Sequence, residues 1–254
     1  MSGRGDGDLT RNAFLGGRIH LWQPRNGYRA GVDPILLAAC VPARAGQAVL
    51  ELGCGAGAAI LALGARVPGL TLTGLELQPA YADLARRNAA ENNLPLQVVT
   101  GDLTEMPASL RQCQFDHVIA NPPYFDPARR SPSRDAGREL ALAEDTALSA
   151  WLEAASRRLR PGGYAHVIHR IERLPDLLAA CSGRLGSLEV LPLCARAGRA
   201  PKLMILRGRK GGRANFVLHP ARILHEGAGH DRDRDSYLPD IASVFRNGAA
   251  LPWP

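Results

Sequence analysis

Short apolar runs alternate with helical windows through the middle of the chain. The runs hold five to eight residues and are rich in β-branched side chains, as buried strands are. Between them, apolar residues at helical spacing predict helices over residues 79–93 and 140–159. Strands that alternate with helices predict an α/β fold with a mainly parallel sheet covered on both faces. The predicted strands are residues 48–52, 70–77, 96–102, 115–121 and 162–169.

The N-terminal region departs from this alternation. After a polar leader over residues 1–12, residues 14–31 predict a hairpin of two short strands around the turn Pro-Arg-Asn-Gly at 24–27. A helix should follow, with Asp33 as its N-cap and Pro34 at its first helical position.

The last third of the chain also changes character. Residues 187–196 and 201–210 read as two strands with no clear helix between them, which predicts an antiparallel pair at one edge of the sheet. Residues 214–226 predict a final small hairpin. From residue 227 onward the chain is polar and rich in Gly and Pro, and its alternating charges at 230–235 indicate a solvated loop rather than a metal cluster.

Composition narrows the class of protein. With 254 residues, 46% of them hydrophobic, the chain can form one sizeable domain. No apolar run approaches the roughly 18 residues of a membrane span, and the first residues lack the apolar core of a signal peptide. The five cysteines are dispersed, which argues against a disulfide framework and a structural zinc site. We therefore expect a cytoplasmic protein without a membrane segment or metal.

The net charge of +7 suggests a polyanionic partner. Of the 31 basic residues only Lys202 and Lys210 are lysines, and arginine suits bidentate contacts with phosphate. A GC-rich genome produces the same arginine preference, so charge alone leaves the partner open.

Three glycines stand between a predicted strand and a predicted helix in the sequence LELGCGAG. Gly53, Gly55 and Gly57 allow a tight turn and let backbone N–H groups approach a ligand. Glu76 ends the next strand, where a carboxylate can accept hydrogen bonds from both hydroxyls of a ribose. Asp102 ends the third strand and can accept from an adenine amino group. These residues predict an adenosine-containing cofactor, but they do not separate a nicotinamide dinucleotide from S-adenosylmethionine.

The sequence Asn-Pro-Pro-Tyr at 121–124 directly follows a predicted buried strand. Prolines lack an N–H and fix φ, so the strand must end there, at the edge of the sheet where α/β proteins bind ligands. The side-chain oxygen of Asn121 and the carbonyl of Pro122 can each accept one N–H of a planar amine, and Tyr124 offers a face for stacking. This arrangement predicts positioning of an amine in line with a methyl donor.

Amine methylation of this kind needs no general base, because the methylated ammonium is acidic enough to lose its proton to water. The three histidines on or beside the predicted strands are therefore interpreted as core or edge residues: His117, His166 and His169.

In order and spacing, these motifs resemble the Rossmann-like class I S-adenosylmethionine-dependent methyltransferases, over roughly residues 30 to 170. The resemblance implies a mostly parallel seven-stranded sheet with an antiparallel edge strand, here preceded by a short N-terminal hairpin. It implies S-adenosyl-L-methionine as cofactor and Asn121, Pro122 and Tyr124 as the catalytic group. The cofactor-binding residues it implies are Glu51, Gly53, Cys54, Gly55, Gly57, Glu76, Leu77, Asp102, Leu103 and Asn121.

Within this class, residues 23–40 together with the NPPYF sequence are similar to the tRNA(Val) adenine-37 N6-methyltransferase family. This similarity implies RNA, and specifically a tRNA anticodon loop, as partner. A solvated charged loop is the competing interpretation of the arginines that follow the motif. The substrate-binding residues expected on this basis are Tyr28, Arg29, Pro123, Tyr124, Phe125, Arg129 and Arg130.

Protein-glutamine methyltransferases that modify release factors carry the same four-residue motif and are the main alternative. They resemble this chain less, because they have a helical domain before the cofactor motif, whereas the 50 residues before Glu51 read largely as a hairpin. A DNA adenine methyltransferase, which needs a separate target-recognition region, and a non-catalytic RNA adaptor fit less well. We expect a leader and hairpin over 1–30, a methyltransferase domain over 31–210 and a C-terminal extension over 211–254, and the oligomeric state stays open.

Overall fold

The computed structural model describes residues 6–124, 147–227 and 236–254. Its strands are β1 Leu9–Phe14, β2 Ile19–Pro24, β3 Ala48–Leu52, β4 Thr71–Glu76, β5 Leu96–Thr100, β6 Phe115–Ala120, β7 Leu159–Arg170, β8 Gly186–Cys194, β9 Leu203–Arg209, β10 Val217–Leu218 and β11 Arg222–Ile223. Its α-helices are α1 Asp33–Cys40, α2 Ala58–Arg66, α3 Pro79–Glu91, α4 Ala108–Arg111, α5 Leu148–Arg158, α6 Leu174–Cys181 and α7 Pro239–Asn247. No helix among these is long and apolar enough to cross a membrane.

The central sheet has the order β10-β8-β9-β7-β6-β3-β4-β5, and β11 also pairs with β8. Strands β3 to β7 pair in parallel, which confirms the predicted α/β architecture and its strand assignments. Only β9 runs antiparallel to its neighbours, β7 and β8, among the sheet strands described.

Three details of the predicted sheet need correction. The antiparallel strand lies two positions inside the edge, because β9 inserts between β7 and β8 and β10 and β11 lie beyond β8. The eight residues between β8 and β9 are too few for a parallel crossover, so β9 must turn back beside β8. The sheet has nine strands among the described residues instead of the expected seven, because β10 and β11, with two residues each, pair with β8 at its edge. The predicted hairpin over 214–226 does not form, since both short strands pair in parallel with β8 and not with each other.

The N-terminal hairpin is present, but its turn lies elsewhere than predicted. Strands β1 and β2 pair from Leu9 opposite Pro24 to Phe14 opposite Ile19. The turn therefore falls at residues 15–18, where Gly16 and Gly17 adopt φ angles of 65° and 91° that favour glycine. Pro24 ends β2 instead of opening the turn, and part of the expected leader is strand.

Helix α1 begins at Asp33 itself, so the predicted N-cap is wrong. Val32 occupies the N-cap position and makes no capping bond through its side chain, and Pro34 is therefore the second helical residue, one position later than predicted. The carboxylate of Asp33 instead accepts a hydrogen bond from the Tyr124 hydroxyl at 2.6 Å. The Asp33 side chain therefore makes a long-range hydrogen bond and does not cap the helix.

Helix α7 was not predicted, and it packs against the body of the protein. Its Ile241 and Val244 are buried in the same apolar cluster as α1. Beyond the helix, the Leu251 N–H donates to the Ala39 carbonyl and the Trp253 indole donates to the Cys40 carbonyl, both at 2.8 Å. The end of the chain is therefore held on α1. The charged segment 230–235 lies outside the described residues.

Side chains of β3 alternate between two buried layers. Val49 packs in the cluster formed by α1 and α2, whereas Leu50 and Leu52 pack with Trp151 of α5 on the other face. Glu51 shares the face of Val49 and points toward the start of α2. The loop that follows β3 therefore lies between the two helical layers, at the carboxyl edge of the sheet.

Candidate active site

A cleft of about 650 Å³ opens at the carboxyl ends of β3, β4, β5 and β6. Its volume is in the range of small-molecule sites, and its position is where open α/β sheets bind ligands. The cleft is lined by residues that follow strands, by the segment that joins the hairpin to α1, and by one tryptophan of α5. These residues are Gly27, Tyr28, Arg29, Gly31, Asp33, Pro34, Gly53, Gly55, Leu75, Glu76, Leu77, Gln78, Tyr81, Gly101, Asp102, Leu103, Asn121, Pro122, Pro123, Tyr124 and Trp151.

The glycine loop presents bare backbone to this cleft. Gly53 and Gly55 adopt φ angles of 62° and 53°, which side chains rarely tolerate. A Cβ on Gly53 would lie 2.6 Å from the ring of Trp151, so that ring packs directly on the loop. A Cβ on Gly55 would meet only the Tyr28 ring, at 3.9 Å. The loop therefore offers a surface that a ligand can approach closely.

Two carboxylates stand at the next strand ends. Glu76 is 7% exposed, and its two oxygens accept from Gly55 N–H at 2.8 Å and Gln78 N–H at 2.9 Å. Burial raises the pKa of Glu76 above its usual value, although these hydrogen bonds act in the opposite direction. Asp102 uses one oxygen to accept from the Thr104 backbone and hydroxyl, both at 2.7 Å. Its other oxygen has no hydrogen bond within the described part of the chain.

Three predicted cofactor residues lie behind the loop and do not line the cleft. Glu51 is 3% exposed and accepts from Ile60 N–H at 3.0 Å in the first turn of α2, and burial raises its pKa well above the usual range. Cys54 is buried beneath the loop, and Gly57 occupies the N-cap of α2 with a φ of 87°. In the structure these residues shape the loop, whereas Gly53 and Gly55 face the cleft.

Asn121 is the first residue after β6, as the motif predicts. Its amide nitrogen donates to the Tyr28 hydroxyl at 3.3 Å. Its Oδ1 is buried and has no hydrogen-bond partner in the ranges that the structure describes. A buried acceptor without a partner costs about 1–3 kcal/mol, so this atom is suited to an incoming N–H donor.

Tyr124 is fixed by contacts on several sides. Its hydroxyl is bound to Asp33, its ring meets the His169 ring edge-on with centroids 5.2 Å apart, and the Arg170 guanidinium lies 6.0 Å from the ring centre. Burial, together with Asp33, raises the pKa of Tyr124, so the phenol remains neutral. The ring lines the cleft in one defined orientation, as a stacking surface requires.

The buried histidines support the core interpretation. His117 Nδ1 and His166 Nε2 lie 3.2 Å apart, and both rings are inside the sheet layer. Burial lowers the pKa of His117 and of His169 to about 4 and that of His166 well below its usual value. These imidazoles are neutral at physiological pH, and His169 supports Tyr124 from behind.

The predicted substrate residues of the N-terminal segment have different surroundings. Tyr28 is 49% exposed at the mouth of the cleft, and its carbonyl accepts from the Tyr81 hydroxyl. Arg29 directs its guanidinium back to the hairpin, to the Thr10 hydroxyl, the Asn12 side chain and the Pro24 carbonyl. Arg29 therefore anchors this segment. The other predicted substrate residues, Phe125, Arg129 and Arg130, lie outside the described residues.

Sequence reasoning missed Asp33 and Trp151 as cleft residues. Asp33 looked like a local helix cap, and Trp151 in an amphipathic helix looks like an ordinary core residue. Both reach the site only through the packing of distant segments. Within the described ranges, no group of three or more His, Cys, Asp or Glu side chains could hold a metal ion.

The strand order, the glycine loop, the carboxylates at successive strand ends and the Asn-Pro-Pro-Tyr segment together define a class I S-adenosylmethionine-dependent methyltransferase. The methyltransferase small domain family matches residues 31–187, and the chain belongs to this family. In sequence it is 30% identical over 231 residues to a tRNA1(Val) (adenine(37)-N6)-methyltransferase of Porphyromonas gingivalis, with 84% of this chain and 90% of that protein covered.

Solved structures agree with this class. A predicted O-methyltransferase from Agrobacterium tumefaciens superposes with a TM-score of 0.69 at 27% identity, over 87% of this chain and 99% of that one. The 16S rRNA N2 G1207 methyltransferase of Thermus thermophilus, solved with AdoMet and guanosine, gives a TM-score of 0.55 at 20% identity, over 80% of this chain and 50% of that one. The second likeness concerns the fold alone.

The residues of the cleft fit S-adenosylmethionine. Gly55 leaves room at the cleft, Gly53 admits the Trp151 ring that packs on the loop, and Glu76 and Asp102 place carboxylates at adjacent strand ends. Asn121 adds an acceptor that lacks a partner among the described residues. The cofactor supplies an activated methyl group, and the chain's own residues bind and orient both reactants.

Proposed function

We propose that the protein methylates the exocyclic N6 amine of an unpaired adenine in RNA, namely adenine 37 in the anticodon loop of a tRNA. The observation that carries the proposal is the segment 121–124 at the cleft, with the buried Oδ1 of Asn121 unpaired among the described residues. The 30% identity to a tRNA1(Val) adenine-37 N6-methyltransferase over most of both chains supports the choice of base and RNA.

The chemistry follows from the electronic structure of the amine. The lone pair of an adenine amine is delocalised into the ring, so the nitrogen attacks a methyl group only as it becomes pyramidal. Asn121 Oδ1 and the Pro122 carbonyl each accept one N–H of the amine, which holds it in line and favours the developing positive charge. The Tyr124 ring gives the base a surface on which to stack.

Nitrogen is favoured over oxygen as the acceptor of the methyl group. A hydroxyl acceptor needs a base to take its proton. The carboxylate of Asp33, which is hydrogen-bonded to segment 121–124, already accepts from the Tyr124 hydroxyl. His117, His166 and His169 are buried, so none of these three imidazoles is an exposed base beside segment 121–124. An amine needs none, because its proton leaves after the methyl group has been transferred.

An RNA loop suits the site better than a protein side chain. A target adenine must be unstacked and unpaired before its amine can enter a cleft, and anticodon-loop bases meet this condition. The net charge of +7 favours a polyanion.

Transfer of labelled methyl groups tests the proposal. The purified protein is incubated with labelled S-adenosylmethionine and tRNA from a strain that lacks it, and anticodon-loop fragments are digested to nucleosides. We expect label in N6-methyladenosine, and none when position 37 of a tRNA transcript is guanosine. Label in release-factor protein with none in RNA would contradict the proposal and favour glutamine methylation.

A further inference from the structure

The loop between β8 and β9, residues 195–202, lies at the same edge of the sheet as the acceptor segment. We name it the carboxyl-edge loop. Strand β9 pairs with β7 so that Leu203 is opposite Arg170, and Ile171 N–H donates to the Lys202 carbonyl at 3.0 Å. Arg170 in turn lies over the Tyr124 ring. A continuous path of neighbouring residues therefore leads from the acceptor segment to this loop.

The carboxyl-edge loop has a defined shape. The Cys194 sulfur lies 2.9 Å from the Arg196 carbonyl oxygen and 2.7 Å from that of Arg199, and its thiol can donate to one of them at a time. Arg199 N–H donates to the Arg196 carbonyl at 3.2 Å. The Arg196 side chain is 7% exposed and is bound to the carbonyls of Glu226 and Gly227. One arginine thus anchors the loop from inside.

The remaining cations of the loop face solvent. Arg199 and Lys202 are exposed, and neither side chain has an ion pair or hydrogen bond within the described part of the chain. Other arginines at this edge differ, because Arg170 and Arg173 are paired with Glu172 and Asp176. Residues 170–176, 195–202 and 224–227 together hold five basic and three acidic side chains.

We propose that Arg199 and Lys202 contact RNA phosphates next to the target base, so that the carboxyl-edge loop is part of the RNA-binding surface. This inference rests on the proposed function, which requires a polyanion whose flipped base reaches Tyr124. Cations without a carboxylate partner bind phosphate without first breaking an ion pair. Neither residue lines the cleft, so cofactor binding should not depend on them.

Two variants with equal reduction of charge test the assignment. The first is Arg199→Ala with Lys202→Ala. The control is Arg44→Ala with Arg213→Ala, which removes two exposed cations near the amino ends of the parallel strands, before β3 and after β9. Both are measured for binding of an unmodified tRNA transcript at several salt concentrations, for methyl transfer to that transcript, for S-adenosylmethionine affinity and for thermal midpoint.

We expect the loop variant to bind the transcript at least about fivefold more weakly at low salt, with a log–log salt slope shallower by about 0.7–0.9 for each phosphate that the variant no longer neutralises. Its KM for tRNA should rise, whereas its kcat, cofactor affinity and thermal midpoint should not change. The control variant should stay within about twofold of wild type in tRNA binding and in KM. The inference would be overturned if both variants bound tRNA as tightly as wild type, or if both bound it more weakly by the same factor. A wild-type protein that neither binds nor methylates tRNA, but methylates a release factor, would instead refute the proposed function.

Discussion

Asn121 presents a buried oxygen that has no partner among the described residues, while its amide nitrogen is held by Tyr28. We predict that Asn121→Ala lowers kcat by about a hundredfold or more, since the missing acceptor acts on the amine as it becomes pyramidal. Cofactor affinity should change little. Single-turnover methyl transfer and calorimetry measure the two quantities separately. Equal decreases in both would show that Asn121 acts mainly in cofactor binding.

Glu76 predicts that the affinity for the cofactor depends on pH. Burial raises the pKa of Glu76 above its usual value of 4.5, and hydroxyl donors of a ribose favour the ionised carboxylate. With Glu76 as the predicted ribose ligand, we expect binding to release a proton and cofactor affinity to increase as pH rises through the pKa of the free protein. Calorimetry between about pH 5 and about pH 8 measures this.

Two variants distinguish Glu76 from its buried neighbour Glu51, whose pKa is also raised by burial. Glu76→Gln should bind the cofactor about 1.5–3 kcal/mol more weakly, with the pH dependence abolished. Glu51→Gln should keep that dependence, because Glu51 lies behind the loop. A pH profile that is unchanged in Glu76→Gln would remove Glu76 from the ribose site.

Residues marked by their place at a strand end could be predicted from the sequence. Gly53, Glu76 and Asn121 directly follow or end apolar runs, so the sheet rule alone brings them to one edge. Asp33 and Trp151 could not be predicted, because their positions depend on how α1 and α5 pack. No local pattern distinguishes a tryptophan that covers a glycine loop from one in the core.

At the scale of elements, one asparagine of α3 joins the hairpin to the glycine loop, and a second asparagine at the end of the helix binds the hairpin. Asn88 exchanges hydrogen bonds with the backbone N–H and carbonyl of Trp22, and it also donates to the Ala56 carbonyl at 2.9 Å. Asn92 exchanges a similar pair with His20. The amide side chains thus satisfy the free edge of β2 as a neighbouring strand would.

This geometry predicts different effects for the two asparagines. Asn88→Ala leaves buried backbone groups unpaired and should reduce the free energy of unfolding by about 2–4 kcal/mol. It should also weaken cofactor binding through the loop at Ala56. Asn92→Ala removes bonds to the hairpin and to the Asn88 carbonyl but none to the glycine loop, so it should lower stability with cofactor affinity unchanged. Urea unfolding and calorimetry measure both. Cofactor affinity that is equal in the two variants would contradict a link between α3 and the loop.

The elements that the sequence failed to predict share a physical cause. Strands β3, β4, β6 and β7 are largely buried apolar runs and β5 is a partly buried edge strand, and the pattern locates all five correctly. The hairpin turn was misplaced, because Pro-Arg-Asn-Gly is a strong turn signal and the two glycines at 16 and 17 were read as part of a strand. Strands β10 and β11 and helix α7 are short, and their contacts with β8 and α1 decide their structure.

At the scale of the whole molecule, the fold collects cofactor residues, acceptor segment and carboxyl-edge loop at one edge of the sheet. The sequence indicated a polyanionic partner from net charge, and it pointed to arginines after the motif, which lie outside the described residues. It could not identify Arg199 and Lys202. The position of their loop at the same sheet edge as the acceptor segment depends on β9 turning back between β7 and β8.

The central claim is that this chain makes N6-methyladenosine at position 37 of a tRNA. Nucleoside mass spectrometry of tRNA from cells that lack the protein, with fragments mapped to the anticodon loop, tests it most directly. We predict that N6-methyladenosine is absent from that loop, that the wild-type chain restores it, and that Asn121→Ala does not. Anticodon-loop N6-methyladenosine at wild-type levels in cells lacking the protein would contradict the account.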